Sequence, residues 1–405
     1  MYRRFLFVAL ALPVAMAACA SEEGIRLSVT GRVLVSPDDT VGLSGARIEI
    51  PAAGVFTISG IDGRFSLSGK VPEVAAGLPN RVAVLFGKVG LADVVHGVTV
   101  LPETTATIIA VMTRPSVSPT LAIPNGGTSV AKMADNATFT FRTDSLVDRS
   151  GTPLQGDVAV TLAGWDASLP PDPNATPVRY DGLYPPSPIG VLATDGTDPY
   201  LRVLAACSFG TESGSPSAET KVGVDLISQY ASLAFEGVTE TDDRLFLVND
   251  QTGIFEESGV GTVDHGNRIA FGIDRPGTWV WAKAVDDPAC VMIDVRIGRR
   301  PAPGAHVRLT SVDINHRDES LLDEKIVAKN GVFCLREPSG RAARVTAFVS
   351  RTTDVLSAST MVAPSSGGSC DTDCPVFAEI ILPCESVTDC DSGEICSEGT
   401  CSTAI

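Results

Sequence analysis

The chain has 405 residues, a formal net charge of −17 and 44% hydrophobic residues. This length suits two to four domains, and the apolar fraction suffices for several cores. A charge this negative argues against nucleic-acid binding, which needs a basic surface, and against a polybasic contact with anionic lipid. With 38 glycines, 27 prolines and only 6% aromatic residues, the composition favours short strands joined by turns.

Residues 1–18 have the pattern of a secretory signal peptide. Arg3 and Arg4 precede an apolar run over 5–15 that is too short to span a bilayer. The sequence Met16-Ala17-Ala18-Cys19 resembles the lipobox of bacterial lipoproteins. The resemblance implies a lipidated tether at 19–24, with acyl chains such as palmitate on Cys19 and an outer-membrane location. The alternative is cleavage after Ala17 and secretion with an unmodified thiol.

Residues 25–113 are predicted to form one all-β domain. Ile25, Leu27, Val29, Val33 and Val35 alternate with polar residues, as in a half-buried strand. The segments 45–50, 64–67, 82–86, 94–100 and 106–112 have strand-like patterns too, and a Gly-rich turn at 60–63 precedes the second of them.

The pattern Gly-Ala-x-[Ile/Val]-x-[Ile/Leu], followed by [Asp/Asn]-Gly-x-Phe-x-Leu, occurs near both ends of the chain. It starts at Gly45 and again at Gly304, and in each copy the second turn should aim Phe65 or Phe333 into a core. With Gly31-x-Val33 before the first copy, these motifs resemble the carboxypeptidase regulatory-like domain, a transthyretin-like β-sandwich. The resemblance implies such sandwiches at 25–113 and 288–383. It implies no peptidase activity, because this domain is an accessory in the enzymes that carry it.

Residues 116–284 have a different pattern of strands and turns. A turn-rich hairpin at 146–156 leads into a strand at 158–162, and the segment 245–250 leads through Gln251-Thr252-Gly253 to Phe255. A Trp-containing strand at 278–282 follows. The series resembles extracellular β modules of bacterial surface lipoproteins and of cartilage intermediate layer protein, which implies an all-β extracellular module in the middle of a tandem β-sandwich chain.

The proline-rich segment 165–188 is the best candidate for a ligand-binding surface. It is a long connection, and such loops are usually functional or disordered. Its flat or charged side chains could stack on a sugar or peptide: Trp165, Arg179, Tyr180 and Tyr184. The alternative interpretation is a lid folded over the edge of the sandwich.

Ten cysteines indicate an oxidising compartment. Cys207 lies in an apolar run and is predicted to be a buried free thiol. Eight others fall in the last third of the chain and are predicted to form disulfides: Cys290, Cys334, Cys370, Cys374, Cys384, Cys390, Cys396 and Cys401. We expect Cys290 to pair with Cys334 and Cys370 with Cys374. The tail, 384–405, is too small to fold without crosslinks, and its four cysteines allow three pairings.

The sequence contains no catalytic motif. His96, His265, His306 and His316 have no metal-ligand spacing, and neither a nucleophile elbow nor a phosphate loop is present. Paired acids occur at 38–39, 242–243 and 286–287, in turn-like contexts that favour surface loops. Zinc is disfavoured by the wide cysteine spacings of the tail. Structural calcium is the alternative, with hard oxygen ligands at Asp195 and Asp198, or at Asp389, Asp391 and Glu394 around Gly393, although neither site has the twelve-residue loop spacing.

These observations predict a non-catalytic envelope lipoprotein that acts as an adhesion, binding or scaffold protein. It would contact the membrane through its lipid and a protein or glycan at the cell envelope, without a cofactor. The alternatives are a carbohydrate-binding or hydrolase-accessory module that uses the 165–188 loop, and a hydrolase whose acidic residues converge only in three dimensions.

Overall fold

The structure is a computed structural model of the whole chain. It describes the following residues: 24–35, 41–73, 81–91, 93–100, 103–112, 120–123, 128–132, 137–142, 146–147, 156–166, 191–192, 200–211, 225–226, 231–236, 244–260, 262–264, 267–271, 277–285, 289–311, 321–326, 331–337, 342–351, 355–363, 374 and 376–403. These residues are almost entirely in strands and turns, so the predicted all-β class is confirmed.

The first unit is a two-sheet sandwich. One sheet has the order β4-β1-β7, in which β1 is antiparallel to β4 and parallel to β7, and the other has the order β3-β2-β5-β6. A 3-10 turn at Pro51–Ala53 lies between β2 and β3. The strands are β1 (Gly24–Leu34), β2 (Arg47–Ile50), β3 (Val55–Ile58), β4 (Arg64–Pro72), β5 (Arg81–Gly87), β6 (Val94–Thr99) and β7 (Thr105–Val111).

The middle unit contains the sheet with the most strands among the described residues, seven in the order β13-β18-β17-β21-β14-β12-β8. Beside it are a five-stranded sheet, β19-β20-β16-β10-β9, and the short pair β11-β15. The strands are β8 (Thr120–Ile123), β9 (Thr128–Lys132), β10 (Ala137–Arg142), β11 (Leu146–Val147), β12 (Gly156–Asp166), β13 (Val191–Leu192), β14 (Tyr200–Thr211), β15 (Asp225–Leu226), β16 (Ala231–Glu236), β17 (Arg244–Val248), β18 (Phe255–Val260), β19 (Thr262–Asp264), β20 (Asn267–Phe271) and β21 (Gly277–Val285).

The third unit repeats the strand order of the first. One sheet is β26-β22-β29 with the short β23 beside β22, and the other is β25-β24-β27-β28. As in the first unit, the central strand β22 is antiparallel to one neighbour and parallel to the other. The strands are β22 (Ala289–Ile297), β23 (Arg300–Pro301), β24 (His306–Ser311), β25 (Leu321–Ile326), β26 (Val332–Glu337), β27 (Ala343–Ser350), β28 (Val355–Val362) and β29 (Val376–Leu382).

The repeated sequence motif occupies the same structural place in both units. The N–H of Val33 donates to the carbonyl of Gly63 (2.8 Å), and the N–H of Val295 donates to the carbonyl of Gly331 (3.0 Å). After each glycine the chain enters the strand that pairs with β1 or β22. The internal repeat predicted from the sequence is therefore a repeat of topology and hydrogen bonding.

Each of these two sandwiches has its own apolar core. Alternate residues of β1 and of the facing strands fill the first core, where Phe65 and Phe86 lie edge to face with ring centroids 5.5 Å apart. The predicted inward position of Phe65 is confirmed. Alternate residues of β22, β24 and β27 fill the third core, around Val307 and Leu335. The side chain of Phe333 lies outside what the structure describes.

The tail follows β29 along the chain. It consists of a 3-10 turn at Val387–Asp389 and a hairpin of β30 (Glu394–Ser397) and β31 (Thr400–Thr403). Its two disulfides join segments that bury little apolar surface, as expected for so short a piece of chain.

Candidate functional site

Most residues predicted to bind a ligand lie outside the described part of the chain. This holds for Arg179, Tyr180 and Tyr184, and also for the predicted lipidation site, Cys19. Trp165 lies near the end of β12, opposite Ala206 of β14, and its side chain is not described. The ligand-binding hypothesis for 165–188 therefore stays a prediction.

The most extensive site that the structure does define is a junction between the first and third units. Strand β7 lies against β24, β25 and β27 of the third unit. The N–H of Ile109 donates to Nδ1 of His306 (3.0 Å), and the guanidinium of Arg308 donates to the carbonyl of Ile109 (2.5 Å). One buried residue of β7 is thus bound through both of its backbone polar groups. Such a junction is specific, because buried polar groups are costly when they lack partners.

A second set of contacts fixes the ends of the same junction. The N–H of Thr107 donates to the carbonyl of Gly304 (2.7 Å), and the N–H of Ser350 donates to Oγ1 of Thr107 (3.0 Å). Gly304 has φ of +74°, and a Cβ on it would lie 2.1 Å from the carbonyl oxygen of Thr105. Only glycine fits where β7 approaches the third unit this closely.

The two described histidines belong to this junction. His96 of β6 and His306 of β24 are buried with ring centroids 5.8 Å apart, and His96 also meets Phe86 edge to face. The alternating strand position predicted for His306 is confirmed, and its ring nitrogen serves a structural hydrogen bond. His265 and His316 lie outside the described residues.

The middle unit contacts the first unit through the turn between β17 and β18. Asn249 shapes this turn, because its Oδ1 accepts the N–H groups of Gln251 (2.8 Å) and Thr252 (3.0 Å). The carbonyl of Gln251 accepts the N–H of Ala83 in β5 (2.8 Å). Gly253 approaches Gly97 of β6 so closely that a Cβ on Gly253 would lie 2.5 Å from the Cα of Gly97. The predicted turn is thus present and also joins two units.

The expected pairing of two cysteines in the third unit was wrong. Cys334 of β26 is bonded to Cys374, with 6.4 Å between their Cα atoms, which contradicts both expected pairs, Cys290 with Cys334 and Cys370 with Cys374. The register explains the error, because Cys290 lies opposite Arg336 and Cys334 opposite Met292. Such diagonal positions are about 7–8 Å apart, beyond the usual Cα separation in a disulfide. Cys290 is also disulfide-bonded, and Cys370 lies outside the described residues.

The tail adopts one of the three pairings that its sequence allows. Cys384 is bonded to Cys396 and Cys390 to Cys401, with Cα separations of 5.9 and 5.5 Å. The sulfur atoms of Cys384, Cys390 and Cys401 lie within 4.8 Å of one another, a spacing that could suit a metal. All three sulfurs belong to disulfides, and a bridged sulfur is not the thiolate that zinc requires.

Asp389 connects the tail to the third unit. Its Oδ2 accepts the N–H groups of Glu385 (3.0 Å) and Ser386 (3.2 Å), and its Oδ1 accepts from Arg351 after β27 (2.8 Å). Burial opposes ionisation of this carboxyl, but the N–H groups and Arg351 outweigh it and lower the pKa of Asp389. The N–H of Arg299 donates to the carbonyl of Asp389 (3.0 Å).

Two of the three acidic residues considered for calcium in the tail have protein partners for their carboxylates, and the third, Asp391, is exposed. Asp389 is bound as described above, and Glu394 pairs with Arg299 at 2.9 Å while its other oxygen accepts the N–H of Asp391 (3.2 Å). These contacts attach the tail to the turn that follows β22. Asp195 and Asp198 lie outside the described residues.

Sequence reasoning did not find the junction between the first and third units. The bonded residues Ile109 and His306 are 197 positions apart, and neither belongs to a motif that indicates contact between domains. Gly304 gives no sequence signal either, because its repeat partner Gly45 is also glycine and has the same kind of backbone conformation without a close neighbour.

No helix among the described residues is long and apolar enough to cross a membrane.

Comparisons with known proteins yield remote likenesses only. No protein-family profile and no curated protein matches the chain. Among solved structures, the TIE protein of Bacillus anthracis is 9% identical with a TM-score of 0.18, over 88% of this chain and 50% of that one. BcpA, the major pilin subunit of Bacillus cereus, is 10% identical with a TM-score of 0.17, over 88% of this chain and 99% of that one.

A tetra-tandem repeat in the extending region of a large adhesion protein is also similar, at 13% identity and a TM-score of 0.13, over 84% of this chain and 99% of that one. The chain spans about half the length of the TIE protein. At TM-scores this low, the likeness carries no argument about function.

Proposed function

We propose that the protein is a non-catalytic lipoprotein of the bacterial cell envelope that acts as a surface adhesion or scaffold protein. One observation carries this proposal, namely that the three units are bound to one another by hydrogen bonds. The first and third units meet through a buried, hydrogen-bonded junction, and the middle unit contacts the first through a shaped turn. Such contacts hold β units in fixed relative positions, which is what a scaffold or a rigid adhesive stalk requires.

The finer parts of the proposal rest on the sequence. Cys19 would carry the lipid that attaches the chain to the outer membrane, and the partner would be a protein or glycan of the envelope. The strand order shared by the first and third units supports their assignment as carboxypeptidase regulatory-like domains. Both described histidines are in the junction, which favours a non-catalytic protein.

The anchoring part is tested in the native bacterium with wild-type protein, Cys19→Ala and the control Cys207→Ala. We expect the wild type and the control to fractionate with membranes, to carry acyl mass on Cys19 and to be cleaved by protease added to intact cells. Cys19→Ala should lose the acyl mass and the membrane association. A wild-type chain that is recovered unacylated from the medium would contradict anchoring.

The adhesion or scaffold role is tested separately in a deletion strain. Adhesion of whole cells and the cross-linked partners of the envelope should change on deletion and should be restored by the wild-type chain but less by Cys19→Ala. Unchanged adhesion together with an unchanged set of cross-linked proteins would contradict the role.

A further inference from the structure

Strands β7 and β29 are equivalent but differ in exposure. Each is the parallel neighbour of the central strand, and the registers align Ile108 with Ala378. The outward-facing residues of β7, which are Thr107, Ile109 and Val111, are only 2–3% exposed. At the same positions of β29, Phe377 is 60% and Ile381 is 55% exposed, with Glu379 between them. Two large apolar side chains thus lie uncovered where the first unit is covered.

The cover of β7 is known. It is the outer face of the third unit's second sheet, where β24, β25 and β27 lie against β7 and Gly304 permits the close approach. The first unit contains the equivalent sheet, in which β2, β3 and β5 correspond to β24, β25 and β27. Each molecule therefore contains a second strand equivalent to β7, which is β29, and a second sheet equivalent to the one that covers β7, which contains β2, β3 and β5.

The equivalent face of the first unit is uncovered and apolar. On β3, Phe56 is 56% and Ile58 is 50% exposed. Gly45 corresponds to Gly304, and the space beside it is open, with only Nζ of Lys88 within 4 Å of the position that a Cβ would occupy. A strand could approach Gly45 as β7 approaches Gly304.

The charges of the two faces are complementary at the centre. Arg47 takes the place of His306, and Glu379 takes the place of Ile109. Glu379 pairs with Arg296 of its own molecule (3.3 Å) but stays 44% exposed, so docking of the two faces brings Arg47 toward this glutamate. Arg47 lies over the ring of Phe56 (3.9 Å to the centroid) and pairs with Glu49, which holds the position of Arg308. The apolar ring and the charged group therefore form one surface.

We infer that copies of the chain join head to tail. The β29 face of one molecule, formed by Phe377, Glu379 and Ile381, docks on the β2–β3 face of a second copy, formed by Arg47, Phe56 and Ile58. The contact places equivalent strands against each other, as in the junction within each molecule, but it relies on the exposed apolar side chains and on Arg47 with Glu379, because Arg47 and Glu49 cannot form the bonds that His306 and Arg308 make to Ile109. Because its two surfaces differ, the contact is heterologous and can continue from copy to copy. The inference goes beyond the proposed function, because it holds for an anchored or a secreted chain.

The test uses the full chain purified from the native bacterium, from membranes in detergent if it is anchored or from the medium if it is secreted. We expect sedimentation velocity to show association that rises with protein concentration. Phe377→Glu and Phe56→Glu should each weaken it at least about tenfold, as loss of a central apolar contact does. Ile395→Glu is the matched control, since Ile395 is 46% exposed on β30, which pairs with β31 of the tail and with no strand of either face, and it should associate like the wild type. The Tm of each variant reports its folding.

Mixing the two variants separates head-to-tail docking from a symmetric contact. Phe377→Glu keeps an intact β2–β3 face and Phe56→Glu keeps an intact β29 face. Each alone should stay monomeric, and their mixture should form a one-to-one dimer that grows no further. A monomeric wild-type chain at high concentration, or folded variants that associate as strongly as the wild type, would overturn the inference. A mixture that stays monomeric would also overturn it.

Discussion

His306 and Asp389 are buried polar residues that connect segments distant in sequence. His306 accepts a hydrogen bond from a backbone N–H of the first unit. The carboxylate of Asp389 accepts hydrogen bonds from the tail and from Arg351 at the end of β27. The sequence predicted a strand position for the first and placed the second among the acidic residues considered for calcium. Their partners were not predictable, because the choice of a partner depends on how units pack and not on local pattern.

Replacing His306 with leucine should weaken the junction. The change keeps an apolar side chain of similar bulk but leaves the buried N–H of Ile109 without an acceptor, which costs about 1–3 kcal/mol. We expect a lower midpoint in chemical denaturation and faster hydrogen exchange at the Ile109 amide. His306→Gln is the control, since its side-chain oxygen can accept the same bond. Equal exchange at Ile109 in wild type and His306→Leu would refute a role for this bond.

The attachment of the tail should weaken in acid. The pKa of Asp389 is lower in the folded chain than its ordinary value of 3.8, so the unfolded chain takes up a proton first as the pH falls. The stability that ionised Asp389 contributes is therefore complete above that ordinary value. It is lost as the pH drops through the lower, folded-state value.

Hydrogen exchange at the amides of Glu385 and Ser386, corrected for its intrinsic pH dependence, measures this effect. Protection in the wild type should fall in acid, while Asp389→Asn should be poorly protected at every pH. Asp391→Asn removes an exposed acid nearby and should behave like the wild type. An unchanged pH profile in Asp389→Asn would contradict the expectation.

At the scale of elements, the sequence predicted the strands of the first unit well. Alternating burial is visible in β1 and in most of β4 because one face of each packs on a core, and the Gly-rich turns mark where strands begin. In β5 the alternation is broken at Ala83, which is also buried and whose N–H donates to the middle unit. The short strand β3 was not predicted. Its four residues are Val-Phe-Thr-Ile, and two of them face solvent as large apolar side chains, so no alternation of apolar and polar residues identifies it.

The disulfide pairing of the tail is open to direct chemical measurement. Cleavage under non-reducing conditions after Glu385, Asp389, Asp391, Glu394 and Glu398 places each tail cysteine on its own peptide. Mass spectrometry should then find Cys384 linked to Cys396 and Cys390 linked to Cys401. A peptide that links Cys384 to Cys390 would show a different pairing, and a reduced sample is the control.

For the whole molecule, the main feature is that one fold occurs twice and its two copies contact each other. The repeat was predictable, because both copies keep the same turn glycines and core positions. The contact between the copies was not. It depends on residues that differ between them, such as His306 in the place of Arg47.

The two equivalent glycines provide a matched test of this contact. Gly304→Ala and Gly45→Ala each place a side chain at a φ near +75°, which costs about 1–2 kcal/mol. Only the first meets the carbonyl of Thr105. We expect calorimetry to show one shared transition for the first and third units in the wild type and in Gly45→Ala. In Gly304→Ala it should split into two, and an unsplit transition there would contradict coupling.

The strand pairing at the start of the first unit has a mechanical consequence. Along β1, nine residue pairs join it to β4 and seven join it to β7. A pulling force applied before Gly24 along the strand axis would load these rungs together, in shear, and not peel them one at a time. The β7 rungs pass that load on to the third unit through Ile109 and Thr107. A tether at the N-terminus would thus pull against two sandwiches at once.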